Sequence, residues 1–234
     1  MTSARSILTI IVLLTPLSCW AQQTNQPAQA ELKLRQMHES IRQSHDLEFN
    51  TSFRAVDEVL GQTRTGTVHY QIRQPRQLRV TAKVSKSTIV VVSDGTILTI
   101  HEPNKRRYRE FEAKESILGS LYTAAGLLGA QVRLIDFFWS VDFLSIGGDR
   151  ANVERLEAKS FDGRTCDGVR VERGNDVWDV WIERTSARRP CHLISRTKDG
   201  SALMTQTNTI RWTANPAFNA ETFRFTAPAG HNKE

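Results

Sequence analysis

The chain has 234 residues, 39% of them hydrophobic and 24% charged, which excludes wholesale disorder and suits one domain with a sizeable core, or two small ones. The formal net charge is +6, but Lys and Arg alternate with Asp and Glu along most of the chain, so the sequence does not predict nucleic-acid binding. The densest basic run, Lys105-Arg106-Arg107, is interpreted as a solvated hairpin end, with contact to phosphate groups as the alternative.

Residues 1–21 have the features of a secretory signal peptide. Arg5 gives a positive start, Ile7 to Leu14 form an apolar run, and small residues precede a polar segment. The apolar run is shorter than the roughly 20 residues that span a bilayer. We therefore expect export to the periplasm, cleavage near Ala21 and a polar linker over residues 22–28.

Two cysteines, Cys166 and Cys191, remain after this cleavage. In an oxidising compartment we expect them to form a disulfide, with two free buried thiols as the alternative. A metal site at these cysteines is poorly supported, because the sequence has no CxxC pair. Lipidation of Cys19 is an alternative to cleavage at Ala21, but Leu17 stands one position too late for a lipoprotein signal.

Residues 29–43 are predicted to form an amphipathic helix, because Leu34, Met37 and Ile41 recur at spacings of three and four. Strand patterns follow, in which apolar and polar residues alternate, beginning with the segment from Leu47 to Ala55. The Asp94-Gly95 pair lies between two apolar runs, as in a β-hairpin. This spacing predicts an antiparallel meander and not alternating β-α-β units.

Residues 114–148 interrupt the strands and are predicted to form a helical insert. Its two apolar stretches, Ile117–Ala130 and Leu134–Ile146, are too short or too interrupted by charged residues to span a membrane. The insert either completes the core or forms a mobile lid over a cavity. The lid residues would be Leu127, Leu128, Phe137 and Phe138.

Strands return in the last third of the chain. In the segment DVWDVWIE, residues 176–183, Trp178 and Val180 share one face of the strand while Trp181 lies on the other. Apolar groups are therefore expected to cover both faces of this strand. Residues 29–230 are assigned to a single domain, and residues 231–234 to a frayed polar tail.

No catalytic or cofactor-binding motif is found in the sequence. His38-Glu39 lacks the second histidine of the HExxH zinc motif, because Arg42 stands in its place. The GxSxG, GxxxxGK and GxGxxG patterns do not occur. We therefore expect no enzyme activity, no cofactor and no metal site.

Four short segments carry a resemblance to a known family. They are GTVHY followed by QPRQLRV, the Asp94-Gly95 pair, the CDG that precedes a strand, and the WDVWI block. In these segments the chain resembles exported bacterial proteins of unknown function that share the lipoprotein-carrier fold of LolA and LolB, and the likeness covers most of residues 30–230. The resemblance implies a mainly β (α+β) fold, an incomplete antiparallel β-barrel wrapped around an N-terminal helix and a helical insert.

In carrier relatives the apolar concave face of this half-barrel holds acyl chains. The resemblance thus implies a periplasmic, non-enzymatic carrier or sensor of a lipid or lipoprotein acyl group, with a membrane protein as a further candidate partner. The residues expected to line the cavity are Phe49, Phe53, Val68, Tyr70, Ile72, Leu78, Val80, Trp178 and Val180. The alternative is a structural or protein-interaction module of the cell envelope with a filled core. The sequence leaves the cargo and the oligomeric state open.

Overall fold

The computed structural model describes residues 26–128, 131–139, 144–146, 149–199 and 202–234. The expected signal peptide and Cys19 lie outside these residues. The first helix, α1, spans Gln26–Gln43 and so begins three residues before the predicted start. Residues 26–28, expected to belong to the linker, are therefore helical. None of the helices in the described part of the chain is long and apolar enough to cross a membrane.

Most of the described chain forms strands. Their bounds are β1 Asp46–Asp57, β2 Gln62–Arg73, β3 Gln77–Val84, β4 Ser87–Ser93, β5 Ile97–Glu102, β6 Arg107–Glu112, β7 Ser145–Ile146, β8 Asp149–Arg150, β9 Asn152–Phe161, β10 Arg164–Arg173, β11 Asp176–Glu183, β12 Pro190–Asp199, β13 Ala202–Trp212 and β14 Asn232–Lys233. Twelve of them form one open sheet in the order β14-β6-β5-β4-β3-β2-β1-β13-β12-β11-β10-β9, while β7 and β8 pair with each other. The predicted mainly β architecture with an unclosed sheet is confirmed.

The strand β1 joins the two halves of the sheet. It pairs antiparallel with β2 on one side and with β13 on the other, so that Phe49 lies opposite both Tyr70 and Trp212. The remaining large pairings are antiparallel hairpins between strands adjacent in sequence. The predicted hairpin turn at Asp94 is present, and the Asp94 carboxylate accepts hydrogen bonds from the backbone N–H groups of Thr96 and Ile97.

The insert contributes α2 (Ile117–Thr123), α3 (Ala125–Leu128) and α4 (Gln131–Trp139). The helix α2 begins where Ser116 caps it, because the Ser116 side chain accepts a hydrogen bond from the Gly119 N–H. The insert was expected to be helical over residues 114–148. Instead, α4 ends at Trp139, and the paired strands β7 and β8 follow.

The C-terminal segment lies against the outer face of the first half of the sheet. Arg79, on the outer face of β3, donates hydrogen bonds to the carbonyl groups of Thr222 and Arg224, and Phe223 is buried. The last residues form β14, which pairs in parallel with β6. The prediction of a frayed tail over residues 231–234 is therefore wrong. The hydrogen bonds from Asn232 N–H and Glu234 N–H to carbonyl groups at the β6 edge hold this segment in place.

Cys166 and Cys191 form the expected disulfide. The bridge crosses the end of β11, where the β11–β12 register shifts between Trp181 and Ile182. This bulge lets cysteines from strands that are not neighbours approach to a Cα–Cα distance of 7.0 Å. The disulfide packs with Trp181 in a small second core, together with Leu156, Phe161 and Ile194. This small core is what covers the second face of β11.

Candidate ligand-binding site

The residues expected to line a cavity face one common interior. Phe49, Tyr70, Trp178 and the other predicted lining residues are all buried in a single apolar cluster on the concave side of the sheet. Period-two alternation places them there, because β1, β2, β3 and β11 each turn one side inward. Contact of these residues with a ligand stays a prediction.

The helices α1 and α4 fill much of this interior. Leu34, Met37 and Ile41 of α1 belong to the same buried cluster as the strand residues. Phe138 of α4 lies edge-on to Phe49, with ring centroids 6.1 Å apart, and Phe137 lies 6.2 Å from Trp178.

The four predicted lid residues therefore pack onto the sheet. Leu128, Phe137 and Phe138 are buried in the main cluster, and Leu127 is partly buried against it. The structure thus brings the expected lid residues and the expected cavity residues into one core. Movement of the insert stays a prediction.

Several polar side chains also face this interior, and four of them, Thr51, Tyr70, Gln206 and Asn208, have a polar atom without a partner among the described residues. Gln206 Nε2 donates a hydrogen bond to Asn208 Oδ1 over 3.0 Å, but Gln206 Oε1 and Asn208 Nδ2 have no partner among the described residues. The same holds for Thr51 Oγ1 and for the Tyr70 hydroxyl, whose pKa is raised by burial. A buried polar atom without a partner is unfavourable by about 1–3 kcal/mol. Such atoms are therefore candidates for binding a molecule that enters the interior.

The sequence analysis did not identify Gln206 and Asn208. Residues 206, 208 and 210 occupy alternate positions of β13, and Ile210 belongs to the apolar cluster. The pairing with β1 sets Asn208 opposite Phe53 and Gln206 opposite Ala55, on the concave side. The alternation of β13 was visible in the sequence, but only the partner strand shows which side faces inward.

A pocket of ≈ 250 Å³ opens next to Gln206, between α4 and the strands β12 and β13. Ala55, Ser195 and Met204 line it on the sheet side, and Arg133 lines it from α4. Arg133 donates hydrogen bonds to Asp176, over 3.2 Å, and to Thr197. Polar and apolar groups thus meet where the interior reaches the surface, and we refer to this pocket as the α4 pocket.

His38 connects the N-terminal helix with the insert. Its ring lies edge-on to that of Phe137, with centroids 5.6 Å apart. Burial, together with the charge of Arg42, lowers the pKa of His38 to about 4, although a hydrogen bond with the Phe137 backbone opposes the shift. His38 is therefore neutral at pH 7 and suits the apolar contact between the two helices.

Across residues 26–128 and the described segments that follow, no group of three or more His, Cys, Asp or Glu side chains is placed to hold a metal ion. The acidic groups near the α4 pocket are engaged, since Asp176 accepts hydrogen bonds from Arg133 and Thr197. What the geometry can do is bind a molecule that has an apolar part and a polar group.

Comparison with known proteins identifies a family by sequence. The model of the family described as "Predicted periplasmic protein (DUF2092)" matches residues 30–233, which agrees with the expected export. No curated protein sequence matches the chain.

Several solved structures are similar in fold at low identity. One is an uncharacterized conserved protein from Thermus thermophilus, with 9% identity, 88% of this chain and 99% of that chain covered, and a TM-score of 0.46. Another is the lipoprotein LppX of Mycobacterium tuberculosis, with 13% identity, 82% and 98% covered, and a TM-score of 0.47. A LolA superfamily protein from Nitrosomonas europaea has 11% identity, 84% and 97% covered, and a TM-score of 0.40. Similarity at this level gives no information about what the chain binds.

Proposed function

The chain belongs to the family of predicted periplasmic proteins DUF2092, and from this premise we propose that it is a non-enzymatic binding protein that carries or senses an amphiphile. The ligand would be a lipid or the acyl group of a lipoprotein. Its apolar part would lie on the concave face of the sheet, and its polar group would bind in the α4 pocket.

The observation that carries this proposal is the pair of buried amides, Gln206 and Asn208. A core that served packing alone would be more stable with apolar residues at these positions, because each amide leaves one polar atom unpaired there. Both amides lie on the inward side of β13, and Gln206 lines the α4 pocket. A hydroxyl group that entered this pocket could donate a hydrogen bond to Gln206 Oε1, and an ester or carboxylate oxygen could accept one from Arg133 at the pocket wall.

Under this proposal the ligand reaches the concave face by displacing the insert. The helices α2, α3 and α4 contain 7, 4 and 9 residues, and helices this short depend on packing for their stability. Phe137 and Phe138 occupy the concave face in the present arrangement, so an acyl chain would displace them. The insert would then move as a lid, and its apolar contacts with the sheet would be exchanged for contacts with the ligand.

Native mass spectrometry of protein exported to the periplasm, followed by lipid extraction, tests the proposal directly. A fluorescent fatty acid then measures affinity in the wild type and in the double variant Gln206→Leu/Asn208→Leu. We expect the double variant to bind at least about tenfold more weakly, the equivalent of about 1.4 kcal/mol, while its free energy of unfolding is unchanged or higher. Thr207→Val, on the outer side of the same strand, is the matched control and should bind like wild type.

The packing of the interior favours a second candidate, an interaction module of the cell envelope. Neither the α4 pocket nor a second cleft of ≈ 710 Å³ is lined by Phe49, Tyr70 or Trp178, the central residues of the predicted cavity. If the purified protein carries no lipid and the fatty-acid probe does not bind, the carrier proposal fails and this second candidate is preferred.

A further inference from the structure

A second cleft lies at the opposite end of the concave face from the α4 pocket. Its volume is ≈ 710 Å³, and Leu47, Trp212, Ala214 and Pro216 supply apolar walls. Leu47 stands near the beginning of β1 and Ala55 of the α4 pocket near its end, so the two sites are roughly 27 Å apart along the strand. We refer to this second site as the Arg189 cleft.

Most charged side chains of the Arg189 cleft are paired. Asp46 accepts two hydrogen bonds from Arg73, at 2.9 and 3.1 Å. Glu183 accepts a hydrogen bond of 2.6 Å from Arg164. The two acids are therefore neutralised by arginines other than Arg189.

Glu48 and His45 are also engaged. The Glu48 carboxylate lies 2.9 Å from His69 Nε2 and accepts a hydrogen bond from Gln71. His45 lies 2.9 Å from the Asp46 carboxylate. The cleft thus offers Arg189 no free carboxylate of its own.

Unlike these groups, Arg189 has no oppositely charged partner among the described residues of the cleft. Its Nη2 donates a hydrogen bond of 2.6 Å to Ser44 Oγ, and its guanidinium carbon lies 4.9 Å from the centroid of the Trp212 ring. Its Nη1 is buried and has no acceptor among the described residues. Within the described part of the chain, no carboxylate lies within 4 Å of Arg189, although Arg164 beside it has Glu183.

The surrounding structure holds the backbone around Arg189 in place. The Glu183 N–H donates to the Arg189 carbonyl over 2.9 Å, and Trp212 Nε1 donates to the Pro190 carbonyl over 2.8 Å. The neighbouring Cys191 is tied to Cys166 by the disulfide. Arg189 therefore extends from a well-held backbone segment, while its Nη1 still lacks an acceptor among the described residues.

Capping of the carbonyl groups at the C-terminus of α1 does not explain why Arg189 lies in this cleft. The carbonyl groups of Ile41 and Arg42, in the last turn of α1, and of Ser44, just after it, already accept hydrogen bonds from Gln74 Nε2. Burial lowers the pKa of Arg189, while the charge of Glu183 partly opposes the shift. A guanidinium stays protonated even so, and a partly buried cation that has no ion pair among the described residues is stabilised when it binds an anion.

We propose that the Arg189 cleft binds an oxyanion, either a phosphate or a carboxylate, through the guanidinium of Arg189. The planar guanidinium donates well to two oxygens of one such group, and the apolar walls accept a short hydrocarbon attached to it. This site is separate from the α4 pocket, and the inference does not rest on the proposed carrier function.

Thermal unfolding and calorimetric titration at pH 7 and constant ionic strength test this inference. The probes are inorganic phosphate, octanoate and octyl phosphate, with octanol as the uncharged comparison. We expect saturable stabilisation by at least one anion that depends on Arg189, whereas any stabilisation by octanol, which could bind in the α4 pocket, should not depend on Arg189. Stabilisation by phosphate alone identifies a free anion as the ligand, whereas stabilisation restricted to octanoate or octyl phosphate identifies the head group of an amphiphile.

Arg189→Gln and the adjacent Arg188→Gln form a matched pair, since each removes one positive charge. Affinity should fall at least about tenfold in Arg189→Gln and stay unchanged in Arg188→Gln. Equal binding by both variants, or no saturable effect of any anion on the wild type, overturns the inference. If Arg189→Gln does not fold, a crystal structure of the wild type with the tightest anion decides the matter, and an anion away from Nη1 also overturns it.

Discussion

The ring of His38 in α1 meets the ring of Phe137 in α4 edge to face, with centroids 5.6 Å apart. This contact joins the N-terminal helix to the insert, and burial together with the charge of Arg42 lowers the pKa of His38 to about 4. Protonation of His38 at acidic pH therefore opposes the contact between the two helices.

The first prediction follows from this lowered pKa. Between pH 6.5 and about 4 the unfolded chain takes up a proton at residue 38 that the folded chain does not. The free energy of unfolding should therefore fall as pH decreases through this window, by up to about 3 kcal/mol from this residue. Urea unfolding at pH 7.5, 6, 5 and 4.5 measures the effect. His38→Gln should show a smaller slope, and an unchanged slope would contradict the assignment to His38.

The second prediction concerns the disulfide. Cys166 and Cys191 are 25 residues apart in sequence, and in the chain-entropy model a bridge over such a loop contributes about 3 kcal/mol. Replacing both cysteines by alanine should lower the free energy of unfolding by about that amount. Reduction of the wild-type protein, measured by the same urea titration, should give a similar loss. Two titratable thiols in unfolded, non-reduced protein would show that the bridge does not form.

The third prediction concerns Gly168, which belongs to the CDG segment. A Cβ atom at this position would lie 2.7 Å from Leu156 Cβ, 2.9 Å from the Glu157 carbonyl oxygen and 2.9 Å from Trp181 Nε1. Gly168→Ala should therefore destabilise the protein by about 1–3 kcal/mol. Gly126→Ala is the control, because a Cβ there meets nothing within 4 Å and alanine favours the helix by about 1 kcal/mol. Equal thermal shifts for the two variants would be inconsistent with this packing.

The fourth prediction concerns Asp179, a buried acid on the outer face of β11. Burial would raise the pKa of Asp179, but hydrogen bonds from Arg170 and Arg196 outweigh it and hold the pKa below its ordinary value. Asp179→Asn should lower the free energy of unfolding by about 1–3 kcal/mol, since both arginines are only partly buried and solvent screens them.

Asp162→Asn is the control for Asp179, because the pair of Asp162 with Arg211 is exposed and screened by solvent, so that its loss should change stability less. The contribution of Asp179 is present at neutral pH and is lost as pH falls through its lowered folded pKa. Urea unfolding of both variants measures the difference. A loss in Asp162→Asn as large as that in Asp179→Asn would count against a special role for Asp179.

The fifth prediction concerns the last residues of the chain. Deleting residues 231–234 removes β14 and the hydrogen bonds that Asn232 and Glu234 donate to the β6 edge. We expect a loss of about 1 kcal/mol or more in the free energy of unfolding, and faster hydrogen exchange confined to β6 and its surroundings. A truncated protein with wild-type exchange at β6 would mean that this segment does not pair in solution.

Much of the fold was predictable because alternation within a strand is a local property. The inward positions of Phe49, Tyr70 and Trp178 follow from period two, and Asp94-Gly95 defines a hairpin turn within a few residues. The pairing of β1 with β13 joins residues about 160 positions apart in sequence, and no local pattern encodes it.

The missed parts of the candidate site have the same cause. Gln206 and Asn208 become inward polar groups only because β13 adds to the sheet beside β1. Arg189 enters its cleft because a bulge, a disulfide and the end of α1 converge on one turn. The C-terminal strand β14 was missed because a strand of two residues carries no periodicity.

The open sheet also has consequences for self-association. An unclosed sheet has two edges whose free N–H and C=O groups can recruit strands from other molecules. At one edge β14 occupies part of β6, and its Lys233 adds a charge there. At the other edge β9 carries four exposed charged residues within six positions, Glu154, Arg155, Glu157 and Lys159. The charged side chains on both borders thus disfavour pairing of these edges with strands of other molecules.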